Sequence, residues 1–76
     1  MDREIIAVIV AKNGLDTAEL LLEQKARSLE KQAEETTDGK QRTALQKRAK
    51  KTRKLVAVLN AAETGLNTYL DESYKL

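Results

Sequence analysis

The 76-residue chain has no cysteine, histidine, proline, tryptophan or phenylalanine, and it has only three glycines and two tyrosines. Without Cys there is no disulfide, and without Cys and His there is none of the usual zinc spacings. The absence of His also removes the Cys–His and Ser–His pairings that activate a nucleophile. Isolated glycines form no loop that cradles phosphate. Without proline, only Gly14, Gly39 and Gly65 can punctuate a long helix. With so few aromatics, any core must be built from Leu, Ile, Val and Ala.

No apolar run is long enough to span a bilayer. The longest, Ile5 to Ala11, also lacks the basic leader of a secretory signal. We therefore expect a cytoplasmic protein with no membrane partner. The composition points to no cofactor and no metal, and to a protein that is not an enzyme.

What the chain does have is charge, unevenly spread. Its net charge is +2, yet eight of the fifteen residues from Lys40 to Lys54 are Lys or Arg and none is acidic. The rest of the chain is correspondingly acidic. Leu45, Ala49, Thr52, Val56, Leu59, Ala62 and Leu66 recur at steps of three and four, which predicts an amphipathic helix over about 39–74. Gly65 is a candidate break in it. Lys40, Lys47, Lys50, Lys51 and Lys54 fall on the side away from this stripe, as a ridge suited to phosphate. Each like-charged pair at i, i+3 or i, i+4 costs about 0.2–0.5 kcal/mol, and no acid within the segment relieves it. The bland account of such a ridge is a solvated helix face.

A second long helix is expected over about 16–36. Asp16 and Glu19 have capping-box spacing, and Leu15 with Leu20 has the spacing of a hydrophobic staple. Leu15, Ala18, Leu22, Ala26, Leu29 and Ala33 line its apolar face, with Glu19, Glu23, Glu30 and Glu34 along one flank. These acids are placed to pair with Arg42, Arg48 and Arg53, within the chain or across a dimer. Residues 5–11 are rich in β-branched side chains. Asn13-Gly14 behind them favours a short helix over about 3–12, with a strand there as the alternative.

Thr36-Thr37-Asp38-Gly39 breaks the pattern, with Asp38 as N-cap and Gln41 at the capping-box position. So short a connection makes the long helices antiparallel neighbours, opposing residues whose numbers sum to about 77. The expected fold is all-α: one domain over 1–76, an antiparallel hairpin of two long helices plus the short N-terminal one. Two helices cover only part of their apolar stripes. We therefore expect dimerisation into a four-helix-bundle-like assembly, similar in outline to a Rop-type dimer of hairpins.

The apolar interface would draw on Ile5, Ile6, Ile9, Leu22, Leu29, Leu55, Leu59, Leu66 and Tyr69. The expected function is a small interaction or regulatory module, of the accessory or phage-like kind, that self-associates and docks on a larger protein. The alternative is a dimeric nucleic-acid binder that contacts phosphates through the lysine ridge.

Overall fold

The computed structural model describes residues 2–74. They form two helices, α1 (Arg3–Glu35) and α2 (Gly39–Tyr74), packed against each other as an antiparallel hairpin. The molecule is a rod measuring 58 × 15 × 13 Å. Its radius of gyration is 17.2 Å, where a compact chain of this length has about 11 Å.

The expected short N-terminal helix is not a separate element. Residues 5–11 are helical, and α1 continues through Asn13, Gly14 and Asp16 without a break. Gly14 has no positive φ, so the left-handed helix ending that Asn-Gly invites does not form. The Thr17 hydroxyl instead bonds back to the Asn13 carbonyl at 3.1 Å, and the helix carries on. Continuation keeps Lys12, Leu15, Glu19 and Leu22 in phase against the second helix. That packing outweighs the roughly 1 kcal/mol penalty of one mid-helix glycine. The N-cap is Asp2, whose Oδ1 accepts from the Glu4 amide at 2.9 Å. Gly65 likewise lies inside an unbroken α2.

The turn at 36–38 is where the sequence places it. The Thr36 amide bonds Gln32 O at 3.1 Å and closes α1. Asp38 Oδ1 accepts from the Lys40 amide at 3.0 Å and opens α2. Gln41 does not complete a capping box: its Oε1 accepts from the Thr36 hydroxyl at 3.2 Å.

Inward residues recur on a strict three–four step. On α1 they are Ile5, Val8, Lys12, Leu15, Glu19, Leu22, Ala26, Leu29 and Ala33. On α2 they run from Leu45 through Ala49, Thr52, Val56, Leu59, Glu63 and Leu66 to Leu70. Among the described residues only Ala26, Leu29, Ala33 and Ala49 are buried, all in the half nearest the turn. The α2 row departs from expectation at one point. Ala62 is exposed, and Glu63 takes the inward place. Among the described residues no helix is long and apolar enough to cross a membrane.

Candidate functional site

The two flanks of the hairpin differ. Residues just behind the inward row make one flank: Asp16, Glu23 and Glu30 on α1, and Gln46, Arg53 and Asn60 on α2. Here Arg53 forks onto Glu30, with Nη2 2.6 Å from Oε1 and Nε 3.2 Å from Oε2, while Nη1 reaches Glu23 at 3.5 Å. The Arg53 hydrogen bond holds the Glu30 carboxyl below its ordinary pKa, and Glu30 raises Arg53 in turn. All three side chains are more than a third exposed, so solvent screens much of this attraction.

Arg42 has a different task from the carboxylate pairing expected of it. Its Nη2 donates to Thr36 O at 2.8 Å and its Nε to Ala33 O at 3.3 Å. The last turn of α1 has no basic residue of its own, so Arg42 brings positive charge from α2 to those carbonyls. Arg42 also lines an open cleft with Glu30, Ala33, Glu34 and Gln46. No carboxylate among the described residues lies within salt-bridge distance of Arg48.

Nearer the open end, Glu63 turns in to face α1. Its carboxylate and those of Asp16 and Glu19 lie within 4.8 Å of one another. Asp16 therefore faces Glu63 and caps nothing. The sequence pattern puts Glu19 on the flank of the seam; it stands instead in the inward row, with Glu63 facing it from α2. Glu19 Oε1 is shielded from solvent and has no hydrogen-bond donor. The one proton source within the cluster is a carboxyl group itself. Hydrogen bonding to Asp16, then to Glu19, with some desolvation, pushes the Glu63 carboxyl up to about 7. Glu63 thus keeps its proton to near neutrality beside two carboxylates. These oxygens are also the donor type that hard cations such as Mg²⁺ or Ca²⁺ take. With no His or Cys in the chain, no nitrogen or thiolate ligand can join them.

Lys47, Lys50, Lys51 and Lys54 line one shallow groove along the outside of α2. None of the four lies within salt-bridge distance of a carboxylate among the described residues. Lys40 is exposed in the first turn of the same helix.

Of the expected apolar positions, Leu29 is buried, and Ile5, Ile9, Leu22, Leu59, Leu66 and Tyr69 are half-buried along the seam. Ile6 and Leu55 point outward, 45% and 47% exposed. Val10, Leu20, Leu21 and Val58 are more exposed still. Set against family models, curated proteins and solved structures, the chain matches none. What the geometry defines is an α-helical hairpin with one charged flank and one bare apolar flank.

Proposed function

We propose that this chain is a non-enzymatic interaction module, acting through self-association and docking on a larger protein. The observation that carries this reading is the imbalance of its apolar side chains. Four of the described residues are buried, while Ile6, Val10, Leu20, Leu21, Leu55 and Val58 are exposed. Exposed aliphatics on this scale, on a chain with no catalytic constellation, are what a partner surface supplies. The even three–four step of the inward row suits a coiled-coil hairpin, and two such hairpins would make a four-helix bundle. Affinity capture with the purified chain, compared with a Leu21→Glu/Val58→Glu variant, tests the docking step. A bound protein retained by the parent and lost from the variant is expected. Equal recovery on both would refute it.

A second reading rests on the lysine groove. Four ammonium groups on one helix, without a carboxylate partner among the described residues, would follow a phosphate backbone without reading its sequence. If they and Lys40 neutralise five phosphates, log affinity for duplex DNA falls against log salt with a slope near −4.5. A gel shift at two salt concentrations tests this. Replacing Lys47, Lys50, Lys51 and Lys54 by Gln should abolish the shift with the fold intact. A shift that survives that replacement, or that ignores salt, would remove this reading.

A further inference from the structure

The bare flank has an order that the charged flank lacks. On α1, Ala7, Ala11, Gly14, Ala18 and Leu21 follow one another at steps of four and three, just outside the inward row. On α2, Leu55, Val58, Ala62 and Gly65 do the same. Tyr69 bonds Glu4 at 3.3 Å, which places both rows on the same side of the hairpin, opposite Arg53 and its glutamates. Neither row contains a charge. A Cβ added at Gly14 or Gly65 would meet nothing within 4 Å, so neither glycine serves close packing inside the hairpin.

Charge then brackets each row in the same sense. Beyond Ala7 the α1 row meets Glu4, and beyond Leu21 it meets Lys25. The α2 row ends at Lys51 on the turn side and at Glu72 on the open side. All four are exposed. This side is therefore acidic toward the open end, apolar in the middle and basic toward the turn.

We propose that a second copy of this chain packs on this side, head to tail about a two-fold axis level with Gly14 and Ala62. Such an axis sets α1 on the copy's α1 and α2 on its α2, so that Glu4 comes level with the copy's Lys25, and Glu72 with its Lys51. It also carries the two lysine grooves to opposite ends of the dimer. A side-by-side parallel dimer would set acid on acid and base on base. Area favours the same occupant. The chain exposes 5882 Å², where a compact protein of its mass exposes about 4,700 Å². The surplus exceeds the roughly 800 Å² per partner that a stable interface buries. Ile6, Val10 and Leu20 lie off this side and make no continuous row, because Asn13, Asp16 and Thr17 interrupt them.

The proposal rests on the self-association reading, and the test separates the two. A nitroxide on Lys47→Cys in the full chain, the only thiol present, reports the arrangement by pulsed dipolar spectroscopy. At 1.5 Å rise per residue, the head-to-tail dimer puts the two labels about 45 Å apart. A distance under about 30 Å would mean a dimer of another geometry and would overturn this interface while leaving self-association intact. A monomer at every concentration would overturn both. Lys25→Glu with Lys51→Glu should raise the dimer dissociation constant about tenfold or more, since every bracketing pair becomes a repulsion. Adding Glu4→Lys and Glu72→Lys should restore it. Loss of dimer without rescue, in a chain whose helicity is unchanged, would contradict the pairing.

Discussion

At the scale of single residues, Glu63 governs the response to pH. Its folded pKa of about 7 lies above the ordinary 4.5. Its contribution to stability is therefore fully present below pH 4.5 and is lost as pH rises through about 7. Glu30 acts in the opposite sense. Its folded pKa is lowered, so its contribution is present above pH 4.5 and is lost as pH falls through the lowered value. Thermal unfolding should therefore show Tm rising from pH 8 toward pH 5.5 and falling again in stronger acid. Glu63→Gln should raise Tm at pH 8 and flatten the alkaline limb. An unchanged limb in that variant would place the titrating group elsewhere. Arg42 offers a second residue-scale check. Arg42→Ala deletes two bonds to the end of α1 and should cost about 1–2 kcal/mol in urea unfolding, whereas Arg48→Ala should cost far less.

Neither residue's part was legible in the sequence, for the same reason. Counting steps of three and four leaves the phase of a helix open by one position wherever an apolar residue stands beside a polar one. Ala62 and Glu63 are such a pair, and choosing the apolar member hides the carboxylate cluster. Arg42 looks like a partner for glutamate until the turn brings it within reach of unsatisfied carbonyls. The Arg53 fork, by contrast, was visible from charge and register together.

At the scale of elements, the turn was legible and the helix breaks were not. Thr36-Thr37-Asp38 has both a stop and a cap, and the chain reverses there. Asn13-Gly14 and Gly65 are stop signals of comparable local strength, yet both helices run through them. Local propensity yields here to the continuous seam on the other side of each helix. Asp38→Ala should destabilise the hairpin by about 1 kcal/mol, read from the urea midpoint. Gly65→Ala, measured at concentrations dilute enough to hold a monomer, should stabilise it by about 1 kcal/mol, since the added methyl meets open space. Destabilisation there would mean that α2 needs the glycine for its own path.

At the scale of the whole molecule, the rod spends its length thinly. The buried residues among those described all lie in the turn half, where alanines bring the helices together, while the open half holds the carboxylate cluster and the bare flank. The hairpin itself follows from patterning and one turn. What covers its open side does not, because outward apolar rows read as core in one dimension. Sedimentation equilibrium on the purified chain, from micromolar to about 100 µM, tests this most directly. The account predicts a reversible rise to twice the 8.5 kDa of the single chain, with helicity retained. A fully helical 8.5 kDa species across the whole range would contradict it.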